Sequence, residues 1–243
     1  MSHGPSADAP EVRERGAPRD GAPQLLDRRL FFQLLVFEAT EPSPGDVLAN
    51  LRRALVDRGV SAVVYADVGA PAGFGLLSMS EDPADFVTRV RVACHGLGGG
   101  VRQRHELTML GRTYSTGYEQ DLEHWLLERP RRTVMNEEWP WAIWYPLRRT
   151  GAFERLDAPE KGSILREHGT VGRAYGEADL AHDVRLACHG LDANDNDFVI
   201  GLVGRDLHPL SHVVQTMRKT RQTAEFMHDM GPFFVGRAAY RTP

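Results

Sequence analysis

The sequence predicts an α+β fold made of two successive β-α-β-β-α-β units. Three observations predict it. The chain has 243 residues, which is enough for one large domain or two small ones. Hydrophobic residues make up 42% of it and charged residues 26%, as is usual for a globular protein. Short apolar runs and amphipathic stretches also alternate in the same order twice along the chain.

The composition excludes several classes of protein. The 29 basic and 33 acidic residues give a net charge of −4, which argues against a broadly basic nucleic-acid-binding protein. No run approaches the roughly 18 apolar residues of a membrane-spanning helix. The two cysteines cannot form a disulfide framework, and the chain does not begin with an apolar leader. We therefore expect a soluble cytoplasmic protein with neither a nucleic-acid partner nor a membrane segment.

Residues 1–29 are expected to be a disordered tail. They are rich in Pro, Gly, Ala, Asp and Arg, and they show no apolar periodicity before Leu25 and Leu26. Such a segment cannot bury enough apolar surface to offset the entropy lost on ordering.

Residues 30–118 are predicted to form the first unit. Its strands are short apolar runs bounded by glycine and proline, and its helices carry apolar residues on one face. In order, the predicted elements are strand 31–39, helix 46–58, strands 62–68 and 74–79, a helix beginning at Asp82, and strand 104–113.

Residues 119–140 are expected to be a connector, and residues 141–243 repeat the order of the first unit. In the second unit, Asp157 and Glu160 have the spacing of a capping box at the start of a helix. Its predicted elements are strand 141–147, helix 157–168, strands 184–187 and 198–203, helix 210–230 and strand 233–240.

Each unit has the element order of a ferredoxin-like domain. The antiparallel sheets of a fused pair can pack into one α+β barrel with the helices outside. The interior or mouth of such a barrel can hold a cofactor.

Two Cys-His pairs, Cys94–His95 and Cys188–His189, are candidate zinc ligands. Structural zinc sites use ligands spaced by two to five residues, however, and adjacent side chains point in different directions. Buried thiols with ordinary imidazoles are the favoured interpretation.

Two residues of the second unit have the character of functional groups. His168, in ILREHG, lies at the predicted end of a helix, with Ile164 and Leu165 on the same face. It is either a core histidine or an axial ligand of a haem iron. Tyr145, in WAIWYPLRR, ends an aromatic strand before two arginines. It is either an ordinary strand-end tyrosine or a redox-active phenol beside an anionic ligand.

Several motifs of the second unit together carry a family resemblance. They are Tyr145-Pro146, the Asp157-Ala-Pro-Glu160 helix start, the run from Arg166 to Arg173, GLDANDNDFVIGL at 190–202 and GPFFVGR at 231–237. This pattern resembles the chlorite dismutase-like haem proteins, a family that includes the coproheme decarboxylases. The resemblance covers about residues 30–237 and is specific from Tyr145 onward.

The resemblance implies two ferredoxin-like halves, an iron porphyrin (haem b or coproheme) in the C-terminal half, and a homopentamer. It implies that His168 is the proximal iron ligand, for which Glu225 or Asp229 is expected to orient the second ring nitrogen. It implies that Tyr145 is a radical relay to a porphyrin propionate. Residues that the resemblance places near the propionates are Arg131, Arg149 and Tyr114.

The distal side of the porphyrin is where the sequence departs from the family pattern. The position of the distal arginine of chlorite dismutases is Asp183 here, with His182 and Arg185 as neighbours that could take its role. Phe153-Glu154 stands where the chlorite-cleaving members have paired tryptophans, which argues against chlorite as the substrate.

Three functions follow from these expectations. The favoured one is a haem-dependent oxidoreductase that acts as a peroxide-dependent coproheme decarboxylase in haem biosynthesis. A chlorite dismutase, which would convert chlorite to chloride and oxygen, is the enzymatic alternative. A haem carrier or sensor is the non-enzymatic one.

Overall fold

The computed structural model describes residues 9–40 and 44–243. The strands in these ranges are β1 (Glu14–Arg19), β2 (Ala22–Leu26), β3 (Phe31–Ala39), β4 (Ala62–Asp67), β5 (Gly73–Ser80), β6 (Val101–Gln103), β7 (Met109–Arg112), β8 (Trp141–Arg149), β9 (His182–Ala187), β10 (Phe198–Gly204), β11 (Met227–Met230) and β12 (Phe234–Thr242). The α-helices are α1 (Pro44–Asp57), α2 (Arg91–His95), α3 (Arg129–Met135), α4 (Gly151–Glu154), α5 (Ala158–Glu177), α6 (Leu207–Met217) and α7 (Arg221–Phe226). The π-helical turns Phe86–Val90 and His124–Glu128 lead directly into α2 and α3. Within the described ranges, no helix is long and apolar enough to cross a membrane.

Eight antiparallel strands close into a barrel. Their order is β10-β9-β7-β3-β5-β4-β12-β8, and β8 pairs with β10 to complete the ring. β6 pairs with β3, and β11 pairs with β8, beside this ring. The two halves of the chain thus contribute to one continuous sheet.

Alternate residues of the strands fill the barrel, as the two-residue repeat of a strand requires. The largest of them include Trp144, Phe32, Tyr65 and Phe234, all buried. Gly201 lies opposite Trp144 in the ladder between β10 and β8. A Cβ atom on Gly201 would lie 2.4 Å from the indole, so only glycine leaves room for this ring.

Helices cover the outer face of the barrel in two places. In the first half, Val64 and Leu76 pack with Leu51 of α1 and Ala93 of α2. In the second half, the strands β8 and β10 pack against α5 and α6, and their residues form one apolar cluster. The predicted fold class, two ferredoxin-like units joined as an α+β barrel with helices outside, is confirmed.

A β-hairpin of β1 and β2 stands where the sequence predicts a disordered tail, so that prediction is wrong for residues 14–26. Residues 1–8 of the predicted tail lie outside the described residues. Polar contacts anchor the hairpin: Glu14 accepts hydrogen bonds from Arg112 Nη1 at 2.9 Å and from the Ser115 amide at 2.8 Å. Anchoring of this kind leaves no apolar periodicity in the sequence, which explains the error.

The helix predicted at 157–168 is longer than expected, since α5 continues past His168 to Glu177. Asp157 caps it as predicted, accepting a hydrogen bond from the Glu160 amide at 2.8 Å. Val171 and Tyr175 of this continuation pack in one apolar cluster with Val213 and Val214 of α6. His168 is therefore in the middle of a helix and not at its end.

The prediction of a single helix over residues 210–230 is wrong. α6 ends at Met217, Thr220 precedes the short α7, and Met227–Met230 is the strand β11. β11 pairs with Leu147 and Arg149 at the end of β8. Pairing with that edge outweighs the helical periodicity of the segment, as tertiary context often does.

The segment 119–140 packs on the barrel. Leu122, Leu126, Leu127 and Val134 belong to the inner core. The segment thereby brings the start of α3, including Arg129, against strand β9.

Candidate functional site

The outer face of β8, β10 and β9 carries the residues that the sequence singles out. Tyr145, Ile200 and Arg185 are direct cross-strand neighbours in one row of this face. Asp183 lies in the next row, opposite Leu202. Because residues two apart on a strand share a face, Asp183 and Arg185 both point to the side of Tyr145.

Helices α5 and α6 lie over this face. Val171 of α5 and Val213 of α6 pack in the same apolar cluster as Tyr145. His168 precedes Val171 by three residues and therefore shares its helix face. The site is thus a layer between a sheet and two helices, with His168 on the helical side and Tyr145, Asp183 and Arg185 on the sheet side.

A hydrogen bond fixes the state of the His168 ring. Nδ1 of His168 lies 3.1 Å from Thr220 Oγ1, and this hydroxyl donates to the Met217 carbonyl at 2.8 Å. A hydroxyl has one proton, so Thr220 accepts from Nδ1–H and leaves the lone pair on Nε2. Burial, and secondarily Arg185, lowers the pKa of His168, which favours the neutral ring that binds metals.

The residue that orients His168 is not one that the sequence predicts. Glu225 pairs with Arg221, and Asp229 pairs with Arg148 and His228, so neither takes the predicted role. Thr220 takes it, because the helix predicted through this segment breaks there. The feature that could identify Thr220 from the sequence is its place at a helix N-cap. It becomes visible only if the break between α6 and α7 is recognised first.

Tyr145 is 6% exposed, and its ring stacks on Phe233 at a centroid distance of 4.6 Å. Burial, reinforced by the charge of Asp183, raises the pKa of Tyr145 well above its usual value. The phenol is therefore protonated at neutral pH. Among the residues that the structure describes, none hydrogen-bonds to its hydroxyl, which leaves that group available to a bound molecule.

Asp183 and Arg185 form an ion cluster with Arg129. Asp183 Oδ1 accepts from Arg129 Nη2 at 2.6 Å, and its Oδ2 lies 2.9 Å from Arg185 Nε. Burial alone would raise the pKa of Asp183, but Arg185 and Arg129 outweigh it and lower that pKa. Asp183 is therefore an ionised counter-ion. Sequence reasoning missed Arg129, which lies 54 residues away in the chain.

Arg185 lies in a concave part of the surface. Its side chain is 46% exposed. Burial nevertheless has the largest influence on the pKa of Arg185 and would lower it, whereas the charge of Asp183 raises it overall. A cavity of about 20 Å³ adjoins the guanidinium and is lined also by Tyr114, Trp125 and Arg129.

Tyr114 belongs to the same region. Its ring centroid lies 5.5 Å from that of Phe198, the residue of β10 that faces Leu147. Burial raises the pKa of Tyr114, and the charges of Arg185 and Arg149 oppose this rise. The structure therefore places Tyr114 beside Phe198 and near Arg185.

Arg149 lies at the end of β8, on the face of Tyr145. Its guanidinium carbon is 4.4 Å from the Phe153 centroid and 4.7 Å from the Phe198 centroid. One Nη contacts Glu154 at 3.4 Å, whereas Nε is buried and has no hydrogen-bond partner among the described residues. A buried donor left unpaired costs free energy, so Nε of Arg149 is a donor that an acceptor on a bound molecule would satisfy.

Two predicted site residues lie elsewhere. Arg131 donates to Ser61 Oγ at 2.9 Å and lines a separate cavity of about 280 Å³ in the first half of the chain. His182 is on β9, but the strand alternation directs it to the face opposite Asp183. Its ring stacks on Trp139 at 3.6 Å and contacts Asp179 at 2.8 Å. Neither residue reaches Tyr145.

Comparisons with known proteins agree with this architecture. The family model described as chlorite dismutase matches residues 47–239. A candidate chlorite dismutase, TA0507, is 13% identical with a TM-score of 0.71, covering 87% of this chain and 95% of its own. A haem-binding protein of Thermus thermophilus is 18% identical with a TM-score of 0.68, covering 87% and 91%.

A chlorite dismutase variant of Candidatus Nitrospira defluvii, in complex with cyanide, is 14% identical. Its TM-score is 0.69, and the match covers 88% of this chain and 92% of that one. No curated protein sequence matches the chain. At these identities the structural matches show the fold, whereas the family model matches most of the sequence. The chain belongs to the chlorite dismutase family.

Proposed function

We propose that this protein binds an iron porphyrin between α5 and the β8-β10-β9 face, and that it is a haem-dependent oxidoreductase. The observation that carries the proposal is the hydrogen bond between His168 Nδ1 and Thr220, because it leaves Nε2 as a neutral nitrogen ligand. Family membership supports the same conclusion.

The residues present fit such a group. Ile143, Leu147 and Leu202 supply an apolar wall of the kind that a porphyrin ring requires. The unpaired Nε of Arg149, at the edge of this wall, would donate to a porphyrin carboxylate. Tyr114, which stacks near Phe198, is a second candidate for contact with a carboxylate.

We propose further that the reaction is the peroxide-dependent decarboxylation of coproheme. When bound, the iron porphyrin would supply the one-electron oxidising chemistry that the amino acids lack. Tyr145 would act as the relay, holding its proton at Oη in the resting protein and releasing it when the phenol gives up an electron. Phe233 and the surrounding apolar residues would exclude water from that ring.

The test is to load the purified protein with haem b or with coproheme and add hydrogen peroxide. A decarboxylase would convert coproheme to products lighter by one CO2 and two hydrogens for each propionate that becomes a vinyl group, with one peroxide reduced to water. Haem b would serve as the control, because it lacks the propionates that are removed. A stable spectrum and unchanged porphyrin mass would instead indicate a carrier or sensor.

One observation favours chlorite dismutase as a second candidate. Arg185 lies in the same cross-strand row as Tyr145 and is accessible to solvent, so it could hold a small oxyanion at the porphyrin. Against this, Phe153, at the position of a family tryptophan, is buried against Phe226 and Ile164. Oxygen release from chlorite would identify this activity.

We also propose a homopentamer in the cytoplasm, acting in haem biosynthesis. Exposed apolar side chains such as Val56, Val87, Val92 and Leu165 are compatible with contacts between subunits. Both cysteines are free, which suits a reducing compartment. Light scattering of the purified protein would give the number of subunits.

A further inference from the structure

Beside the proposed porphyrin site, the structure joins two arginines through one carboxylate. We propose that Arg129 is a positioning residue: by holding Asp183 it sets how Arg185 is presented, and so how strongly the site binds small anions. The inference rests on the proposed function, since the anions would bind in the porphyrin site.

The geometry divides the two oxygens of Asp183 between the two arginines. Oδ1 accepts from Arg129 Nη2 at 2.6 Å, and Oδ2 faces Arg185 Nε at 2.9 Å. Within the described part of the chain, the Nη groups of Arg185 have no hydrogen-bond partner. Those two groups are therefore available to a ligand as long as Asp183 engages only Nε.

Arg129 itself is fixed by its surroundings. Its guanidinium carbon lies 4.7 Å from the Trp125 ring centroid, and α3, which begins at Arg129, packs against β9. A side chain held on two sides is suited to orient Asp183. Two guanidiniums and one carboxylate also leave the cluster with one net positive charge, which attracts anions.

The arrangement predicts that removing Arg129 and removing the charge of Asp183 change anion binding in opposite directions. Without Arg129, Asp183 would have Arg185 as its only charged partner of the cluster and could engage Nε and an Nη in a two-bond fork. Fewer donors and less positive charge would then face an anion. Without the charge of Asp183, both arginines would be free to attract the anion.

The first test measures the fluoride dissociation constant of the haem-loaded protein by absorbance. We expect Arg129→Gln to weaken fluoride binding about tenfold and Asp183→Asn to strengthen it by a similar factor. Arg129→Lys, which keeps the charge, should restore most of the affinity. Arg205→Gln is the matched control, because Arg205 pairs with Asp179 and Glu138 outside the cluster.

A double-mutant cycle distinguishes positioning from a direct effect of charge. If Arg129 acts through Arg185, Arg129→Gln should change the fluoride affinity by less than about twofold in the Arg185→Gln background. An equal loss in both backgrounds, or no loss with Arg129→Gln alone, would overturn the proposal.

A second measurement needs no haem and keeps the proposal separate from the proposed function. The Arg185 Nε–H resonance, assigned by its disappearance in Arg185→Gln, should shift in both Asp183→Asn and Arg129→Gln, because the Asp183 carboxylate lies 2.9 Å from Nε, and should stay in place in Arg205→Gln. If Arg129→Gln behaves like Arg205→Gln, the positioning role is wrong. If the resonance responds as expected but haem does not bind, only the proposed function fails.

Discussion

The Thr220 hydroxyl lies 3.1 Å from Nδ1 of His168 and donates its own proton to the Met217 carbonyl. With its proton on that carbonyl, the hydroxyl accepts from His168. One threonine in the break between α6 and α7 thus selects the tautomer of a histidine on α5. This relationship links the helix break to the ability of His168 to serve as an iron ligand.

Replacing Thr220 tests that link. Thr220→Val keeps the shape but removes the acceptor, and we expect porphyrin binding to weaken about 10- to 100-fold, the range found for partners of metal-binding histidines. Thr220→Ser keeps the hydroxyl and should bind close to the original affinity. The measurement is a porphyrin titration by absorbance, with circular dichroism to verify folding. Equal affinities of the Val and Ser variants would show that Thr220 does not orient the ligand.

Short apolar strands are the most predictable part of this fold. The strand predicted at 31–39 matches β3, and the starts of β8 and β10 also match. Each of these strands carries its own apolar run, so its pattern is local. The sequence also predicts that Asp183 and Arg185 share one strand face, since they are two residues apart. The cross-strand row through Ile200 that places Arg185 beside Tyr145 is seen only in the structure.

Residues defined by contacts distant in sequence are not predictable in this way. Arg129 contacts Asp183, yet the family resemblance selects Arg131, two residues further on, as the site residue. Only the orientation of α3 against β9 decides between them. Likewise, Glu14 anchors the N-terminal hairpin to Arg112 across the chain, and no local pattern reports such a contact.

Arg149 and Arg131 offer a matched pair of variants. Arg149 has an unpaired buried Nε near Phe198, whereas Arg131 lies in another cavity beside Ser61. We expect Arg149→Ala to cost about 1.5–3 kcal/mol of porphyrin binding, typical of a hydrogen bond to a charged group. Arg131→Ala should leave porphyrin binding unchanged. Fluorescence quenching by the porphyrin measures both, and an equal loss in the two variants would contradict the assignment.

The packing of the barrel gives a prediction about stability. Because a Cβ at Gly201 would lie 2.4 Å from the Trp144 indole, Gly201→Ala must displace that ring or the backbone. Overpacking of this kind costs about 1–3 kcal/mol of the free energy of unfolding. Gly99→Ala is the matched control, since a Cβ at that position would meet no atom of the described residues within 4 Å. Urea denaturation should show a lower midpoint for Gly201→Ala than for Gly99→Ala.

Tyr145→Phe is the variant that separates decarboxylation from simple haem binding. Phenylalanine keeps the ring, its stacking on Phe233 and most of the buried area, but it has no phenolic proton and cannot act as a one-electron relay. We expect nearly normal porphyrin affinity and the loss of peroxide-driven CO2 release, measured by the mass of the recovered porphyrin. If the protein instead turns over chlorite, this change should matter little and Arg185→Ala should abolish oxygen release. A Tyr145→Phe protein that still decarboxylates coproheme at the original rate would exclude the phenol as the relay.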